Sequence, residues 1–284
     1  MSWRWKLSSC VPCEKLIDAP MTHIHPTALV DAAAQLDEGV TIGPYSVIGP
    51  HVRIGSGTTV ASHCVIEGRT SIGANNQIFQ FCSLGAVPQD KKYAGEPCEL
   101  VIGDGNTIRE FCTFNIGTVA DQGMTRVGND NWFMAYVHLA HDCQVGSHTI
   151  FANSSQLAGH VHVGDWAILG GFTVVHQFCR IGAHSFTAMN SLLFADLPPY
   201  AMCQGQPAQV RSMNYEGLKR RHFSPVQIQS VKQMHKLLYR EGLTLEDASS
   251  QIKLLAESNT AVTEVVDLMT DFLAQVSPQR GIVR

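Results

Sequence analysis

The feature that most constrains this chain is an apolar residue at every sixth position. The series runs from Ile24 to Leu84, resumes at Ile102, and runs again from Val127 to Ile181. The residue after each member is mostly small and often glycine, and the residue four places after it is small or β-branched. An amphipathic helix would instead repeat at intervals of three and four residues. The six-residue period predicts a left-handed parallel β-helix with three faces and about 18 residues per coil.

Most of the cysteines belong to this repeat. Five of the nine fall at its small inward position, and these are Cys64, Cys82, Cys112, Cys143 and Cys179. Their register indicates small core residues rather than catalytic thiols. An odd number of cysteines in a long chain favours a reducing compartment over a disulfide framework. Cys10 and Cys13 form a lone CxxC pair, and without a second pair they are not expected to bind zinc.

The repeat also sets the first domain boundaries. We expect the β-helix to occupy residues 21–198, and residues 1–20 to be a disordered extension or a misplaced start. Two stretches, near 86–100 and 119–126, leave the period and must leave the coil as loops. Long loops on a rigid solenoid usually carry function.

Beyond the repeat the period changes. Residues 199–213 are expected to be a linker, and residues 214–284 a small helical domain that caps the open end of the coil. The sequence Ser224, Pro225 and, two residues later, Gln227 is typical of a helix start with a capping box. Apolar residues near the end of the chain then follow helical spacing.

Charge and hydropathy exclude several classes of function. Only 15% of residues are charged and the formal net charge is -4, which argues against a nucleic-acid partner. No apolar run reaches the roughly 18–20 residues that would cross a bilayer. The start of the chain is basic but lacks the apolar core of a signal peptide. We therefore expect a cytoplasmic protein with no transmembrane segment.

The period predicts a column of site residues on one outer face. Residues 18 apart lie one above the other on neighbouring coils, about 4.8 Å apart. His141 occupies the outward third position of its hexad, and Gly159 and Gln177 follow it at this spacing. The residues that flank the column include three more histidines, His138, His160 and His176.

An outward histidine above a glycine is suited to acyl transfer. The imidazole of His141 can take a proton from an attacking hydroxyl, while the backbone N–H of Gly159 can stabilise an oxyanion. Asp142 or another nearby acceptor can hold the imidazole in the required tautomer. Two other interpretations stay open, namely solvated histidines on a repeat face and a metal site. Spacing alone completes no zinc ligand set, so no metal is assigned.

Several longer stretches are more specific than the repeat itself. They are "QDKKYAGEP" (89–97), "HLAHDC" (138–143), "LAGHV" (157–161), "VVHQFCRIGAH" (174–184), "DLPPY" (196–200), "NYEGLKRRHF" (214–223) and the ending "RGIVR". In this order they resemble the UDP-N-acetylglucosamine acyltransferases that begin lipid A synthesis, over nearly all of residues 21–284. The resemblance implies transfer of an (R)-3-hydroxyacyl group from acyl carrier protein to the 3-hydroxyl of UDP-N-acetylglucosamine. It also implies a homotrimer with active sites between subunits.

The resemblance assigns roles by position. His141 matches the general base and Gly159 the oxyanion donor. The residues that match substrate-binding positions are Asp90, Lys92, His138, His160, His176 and Gln177. Those that match the region holding the nucleotide and facing the carrier are Asn214, Glu216, Arg220 and Arg221. No acyl-enzyme is expected, and no cofactor, because the pantetheine belongs to the carrier.

Met189 matches the position that ends the acyl groove in this family. It lies 48 residues after His141, also at an outward third position, or about 13 Å along the coil axis. A large, flexible side chain there predicts a preference for a ten-carbon over a fourteen-carbon acyl chain, with some leakage. The other interpretation is that Met189 packs between subunits.

One departure from the family stands out. Many members have a His-Arg pair where this chain has Asn115 and Ile116, which removes groups that could contact phosphate or pantetheine.

Two other functions account for part of the pattern. A related N-acyltransferase acts later in the pathway, but it carries an N-terminal domain for which the residues before Ile24 leave no room. A non-enzymatic scaffold would explain neither the histidine cluster nor the departure of residues 89–97 from the coil.

Overall fold

A computed structural model of the chain describes residues 21–284. The expectations for residues 1–20, including Cys10 and Cys13, lie outside that part. The coil consists of short strands that pair in parallel with the strand one turn further along, as Thr41 pairs with Thr59. These pairings build three long sheets around one core. The predicted left-handed parallel β-helix is thereby confirmed.

The strands fall in rotation into three sheets, A, B and C. Sheet A contains β1 (His23–Ile24), β4 (Thr41–Ile42), β7 (Thr59–Val60), β10 (Gln77–Ile78), β13 (Thr107–Ile108), β16 (Trp132–Phe133), β19 (Ile150–Phe151), β22 (Ile168–Leu169), β25 (Phe186–Thr187), β27 (Ala201–Gln204) and β28 (Gln209–Met213). Sheet B contains β2 (Leu29–Val30), β5 (Val47–Ile48), β8 (Val65–Ile66), β11 (Ser83–Ala86), β14 (Thr113–Asn115), β17 (His138–Leu139), β20 (Gln156–Leu157), β23 (Val174–Val175) and β26 (Leu192–Leu193). Sheet C contains β3 (Gln35–Leu36), β6 (Arg53–Ile54), β9 (Arg69–Ile72), β12 (Glu99–Ile102), β15 (Met124–Val127), β18 (Gln144–Val145), β21 (His162–Val163) and β24 (Arg180–Ile181).

The inside of the coil is filled by the two inward positions of each hexad. The large apolar residue and the small residue four places later are buried along most of the helix. The five cysteines of the repeat are free and buried, as are Cys98 and Cys203. Burial raises the pKa of the Cys143 thiol to about 12, so this group stays protonated at neutral pH.

The corners of the coil have a left-handed backbone conformation that was not predicted from the sequence. The fourth residue of most hexads lies in the left-handed region, including Asp142 (φ 60°), His160 (φ 63°) and Phe178 (φ 64°). This region is uncommon for residues other than glycine. Because Asp142, His160 and Phe178 are 18 residues apart, they form a second column beside that of His141.

Both excursions leave the coil at one corner, but within different bounds from those expected. The first runs from 87 to 98, because Glu99 and Leu100 already pair with Arg69 and Thr70 in sheet C. The second runs from 116 to 123, because Met124–Val127 pairs along β12 as a regular strand. Each loop joins a strand of sheet B to the next strand of sheet C. His141 follows β17 of sheet B, so it lies at this same corner.

The segment expected to be a linker is ordered secondary structure. Within 199–213, β27 and β28 form an antiparallel hairpin that extends sheet A. The backbone N–H of Asn214 then donates to the carbonyl of Tyr200, at 2.7 Å. The helical domain is therefore attached to the coil through continuous hydrogen bonding.

The helices follow directly. They are α1 (Tyr215–Arg220), α2 (Pro225–Tyr239), α3 (Leu245–Ser258), a 3₁₀ turn (Thr260–Val262) and α4 (Thr263–Leu273). The capping box at Ser224 and Gln227 is present. The Tyr200 hydroxyl donates to the carbonyl of Val265 across the domain boundary, at 3.3 Å. Across residues 21–284, every helix is too short or too polar to cross a membrane.

Candidate active site

A cleft of about 1040 Å³ opens at the corner where both excursions leave the coil. Its floor is the predicted column, with His141, Gly159 and Gln177 stacked on successive coils. Its walls come from the two loops, and the first loop contributes Asp90 and Lys92. The structure thus brings residues from three successive coils and two loops to one place.

His141 and Asp142 form a hydrogen-bonded pair. Nδ1 of His141 lies 2.8 Å from Oδ2 of Asp142. The Asp142 side chain is fully buried, and Thr118 donates to it twice, from its backbone N–H at 2.9 Å and its hydroxyl at 2.6 Å. A buried carboxylate held in this way fixes Nδ1 of His141 as the protonated nitrogen. Nε2 is then the nitrogen with a free lone pair.

Gly159 supports His141 by having no side chain. A Cβ built on Gly159 would lie 2.6 Å from Cε1 of His141 and 2.8 Å from Nε2, so the imidazole occupies the space that a side chain would need. Among the hydrogen bonds of residues 21–284, none uses the N–H of Gly159 as donor. This N–H is therefore available to a developing oxyanion close to the imidazole.

Two further histidines line the cleft in different environments. Nδ1 of His138 lies 2.7 Å from the hydroxyl of Thr113, and burial lowers the pKa of His138 below its ordinary value. His138 is therefore neutral at physiological pH. The ring of His160 stacks on Phe178, with 4.3 Å between centroids, and its Nδ1 lies 2.9 Å from Oδ2 of Asp121.

Three side chains of the cleft lie close enough together to hold a metal ion. One ligand atom from each of His141, Asp142 and His160 falls within 4.8 Å of the others. The nitrogens concerned already have partners, however, since Nδ1 of His141 contacts Asp142 and Nδ1 of His160 contacts Asp121. The geometry favours a hydrogen-bonded network over a ligand set.

Other predicted residues lie outside this cleft. His176 is exposed, and its Nδ1 lies 3.2 Å from the carbonyl of Gln177. Met189 follows β25 of sheet A, so it lies at the corner between sheets A and B rather than at the corner of His141. Within one chain the structure does not bring Met189 to the imidazole.

The predicted nucleotide-binding group lies on and around α1. Asn214 caps this helix and donates from its side chain to the carbonyl of His184 at 3.0 Å. Glu216 pairs with Lys219, and Arg220 is exposed.

Arg221 is already occupied within the chain. Its Nη2 donates to the carbonyl of Trp166 at 2.9 Å, and its guanidinium lies over the Trp166 ring. This contact fastens α1 to the coil, so in this chain Arg221 is first of all a docking residue.

Asn115 and Ile116, the departure from the family, are buried beneath the first excursion. The Asn115 side chain donates to the carbonyl of Val87 at 3.1 Å, and Ile116 packs against the backbone at Gly68. Neither side chain faces the cleft. These two residues anchor the start of the first loop.

The residues that the sequence did not single out come mainly from the second excursion. Thr118 donates to the carboxylate of Asp142, and Asp121 accepts from the imidazole of His160. Thr125 accepts from the backbone N–H of Asp142 at 2.8 Å. Thr125 shares the small inward position of the repeat, which was the one available signal. Nothing in the period marks Thr118 or Asp121.

This fold and site define a class, and comparisons with known proteins agree. Residues 33–68 and 124–159 match the family described as bacterial transferase hexapeptide (six repeats). Residues 196–283 match the family described as UDP N-acetylglucosamine O-acyltransferase, domain 2. The chain is thus a hexapeptide-repeat transferase by fold, with the C-terminal domain of one particular family.

Full-length relatives carry the comparison further. The chain is 70% identical over 264 residues to the acyl-[acyl-carrier-protein]--UDP-N-acetylglucosamine O-acyltransferase of Albidiferax ferrireducens, covering 93% of this chain and all of that protein. The solved structure of LpxA from Acinetobacter baumannii matches with a TM-score of 0.88 and 46% identity over 92% of this chain and 99% of that one. The Francisella novicida UDP-N-acetylglucosamine acyltransferase matches with a TM-score of 0.87 and 41% identity, covering 92% and 94%. The chain belongs to the UDP-N-acetylglucosamine O-acyltransferase family.

Proposed function

We propose that this protein transfers an (R)-3-hydroxyacyl group from acyl carrier protein to the 3-hydroxyl of UDP-N-acetylglucosamine, the first step of lipid A biosynthesis. The observation that carries the proposal is the buried Asp142 paired with His141 directly above the free N–H of Gly159. The identities of the two substrates are inferred from the family to which the chain belongs. The first excursion, with Asp90 and Lys92, walls the cleft in which the sugar would lie.

The chemistry follows from the placement of the imidazole. Nε2 of His141 takes the proton from the sugar hydroxyl as its oxygen attacks the thioester carbonyl. The Gly159 N–H stabilises the oxyanion of the tetrahedral intermediate. The intermediate collapses, the carbon–sulfur bond breaks, and the imidazolium returns its proton to the pantetheine thiolate.

Direct transfer is supported by the composition of the cleft. Within residues 21–284, its lining includes neither a serine nor a cysteine. The lining has two hydroxyl residues: Thr118 is buried and bonded to Asp142, and Tyr93 donates to the carbonyl of Glu96 at 2.8 Å. An acyl-enzyme would need an accessible nucleophile beside the base. The proposed reaction also needs no cofactor on this chain, because the carrier brings its own pantetheine.

We further propose a homotrimer in which a neighbouring chain completes each site. Exposed apolar side chains follow the outer face of sheet B, namely Leu29, Val47, Val65 and Val174. Phe81, Phe111 and Tyr136 stack in a continuous exposed ladder at the corner between sheets A and B, with centroids 5.1 and 4.8 Å apart. Exposed apolar surface of this extent is typical of an interface.

Association through this surface would bring new groups to the cleft of the neighbour. Met189 lies at the same corner as the aromatic ladder, and Arg220 is exposed on α1. Sedimentation equilibrium should give three times the chain mass of 31.0 kDa. A monomer at micromolar concentration would contradict the assembly.

A cytoplasmic location is part of the same proposal. The cysteines of residues 21–284 are all free thiols, which suits a reducing compartment.

The test is turnover of UDP-N-acetylglucosamine with 3-hydroxyacyl carrier protein, followed by mass spectrometry. His141→Ala should lower kcat by about 10²–10⁴-fold, the usual effect of removing a general base. His51→Ala, which replaces an exposed histidine of the coil outside the cleft, is the matched control. A folded His141→Ala protein with a normal rate would disprove the assignment.

A further inference from the structure

The second excursion, residues 116–123, supplies hydrogen-bond partners to the network around both imidazoles. Its Thr118 donates twice to Asp142, which pairs with His141. Its Asp121 accepts from Nδ1 of His160 at 2.9 Å. The two histidines are therefore each paired with a different carboxylate, one buried in the coil and one on the loop.

The arrangement places two imidazoles in competition for one carboxylate oxygen. Oδ2 of Asp142 is 2.8 Å from Nδ1 of His141 and only 3.8 Å from Nδ1 of His160. The two rings are 5.0 Å apart and perpendicular, with an interplanar angle of 89°. A shift of about 1 Å would bring His160 within hydrogen-bond distance of Asp142.

Without a second carboxylate, this shift would be favourable. The Asp142 side chain is fully buried, whereas that of Asp121 is about one-third exposed, at 33%. A buried carboxylate is the stronger acceptor because less water competes for it. The stacking of His160 on Phe178, with 6° between the ring planes, does not select which ring nitrogen faces Asp142. Among the hydrogen bonds of residues 21–284, the one made by the His160 ring is to Asp121, and it directs Nδ1 away from Asp142.

We infer that Asp121 is a positioning residue that keeps His160 off Asp142, so that Asp142 orients His141 alone. The predicted effect on the rate rests on the proposed function, in which His141 is the base, whereas the predicted hydrogen bonding does not. With Nδ1 bonded to Asp121, the Nε2 of a neutral His160 is left as an acceptor for a hydroxyl in the cleft.

The first measurement needs no substrate. Nitrogen-15 NMR of the histidine-labelled full-length protein reports which ring nitrogen of His141 carries the proton. Wild type should show His141 protonated at Nδ1. Asp121→Ala should change the His141 signals although residue 121 does not contact His141. The double variant Asp121→Ala/His160→Phe should restore them, because phenylalanine keeps the stacking on Phe178 but cannot bond to Asp142.

The second measurement is the rate. Asp121→Ala should lower kcat roughly 10- to 100-fold, the effect of misplacing a reacting group by about 1 Å. In the His160→Phe background the same change should have no further effect on kcat. Gln122→Ala, an exposed neighbour in the same loop, should match wild type.

The outcomes separate this inference from the proposed function. Unchanged His141 signals in Asp121→Ala would overturn the inference, whatever the rate. Signals that change and are not restored by His160→Phe would also overturn it, since the loop would then act on His141 by another route. Failure of the proposed function would appear as a fully active His141→Ala protein, a result that leaves the NMR comparison intact.

Discussion

A single methyl group at Gly159 should disable the site without unfolding the protein. The Cβ of Gly159→Ala would lie 2.6 Å from Cε1 of His141, whereas carbon atoms pack at about 3.5 Å or more. One of the two groups must therefore move by about 0.9 Å.

The backbone at residue 159 is the part that cannot yield. The Gly159 carbonyl accepts from Phe178 at 3.0 Å, and the adjacent Ala158 and His160 N–H groups are each bonded at 3.1 Å to neighbouring coils. The imidazole has fewer constraints, so it should move and lose its 2.8 Å contact with Asp142. Misplacement by about 1 Å costs about 100-fold in rate, equivalent to about 2.7 kcal/mol in the barrier.

The assay compares kcat at saturating concentrations of both substrates with the thermal unfolding midpoint. Gly159 does not adopt a left-handed φ, so alanine should add no backbone strain. Gly49→Ala is the matched control, because its Cβ would meet nothing closer than 3.4 Å. A folded Gly159→Ala enzyme within threefold of the wild-type rate would refute the argument that this glycine makes room for the base.

Three further predictions concern stability, chain length and the carrier. Burial, with Arg221 nearby, lowers the pKa of His184 to about 4. Its contribution to stability is therefore complete above about pH 6.5 and falls by about 3 kcal/mol as the pH drops to 4; urea midpoints of His184→Phe should depend less on pH across that range. Met189→Gly should shift competition between thioesters from ten toward fourteen carbons, and no shift would mean that Met189 is not the ruler. Reversing the charges of Lys219 and Arg220 should raise KM for acyl carrier protein and flatten its dependence on salt, whereas an unchanged salt profile would exclude docking there.

The period predicted the coil and the column of the site because a strict repeat fixes both direction and height. The residue at position three of each hexad points outward, and residues 18 apart stack on neighbouring coils. The stack of His141, Gly159 and Gln177 therefore follows from the repeat alone. The same count missed where the loops begin and end. The four-residue strand β12 begins at Glu99 because its backbone pairs with β9 and β15. This pairing depends on the strand register, so the side chain of Glu99 gave no sign of it.

Some residues that the resemblance singled out also make contacts within the chain. Arg221 matches a family position for ligand binding, yet its guanidinium is held by Trp166 and approaches Nδ1 of His184 at 3.4 Å. Asn115 and Ile116 removed two basic groups from the pattern, but the structure uses them to anchor the first loop. Sequence similarity assigns positions, and only contacts decide what each side chain is free to do.

The different parts played by coil and loops explain why the second excursion was found from the sequence but the roles of Thr118 and Asp121 were not. The coil places backbone groups such as the Gly159 N–H on successive turns that are about 4.8 Å apart, and the repeat encodes this placement. Proton placement depends instead on which carboxylate each imidazole reaches. That choice is made by Asp121, a residue outside the period, across a difference of 1.0 Å between the 2.8 and 3.8 Å distances to Asp142. A site of this kind is therefore located by its repeat and tuned by its loops, so loop substitutions should alter turnover while leaving the column of His141 in place.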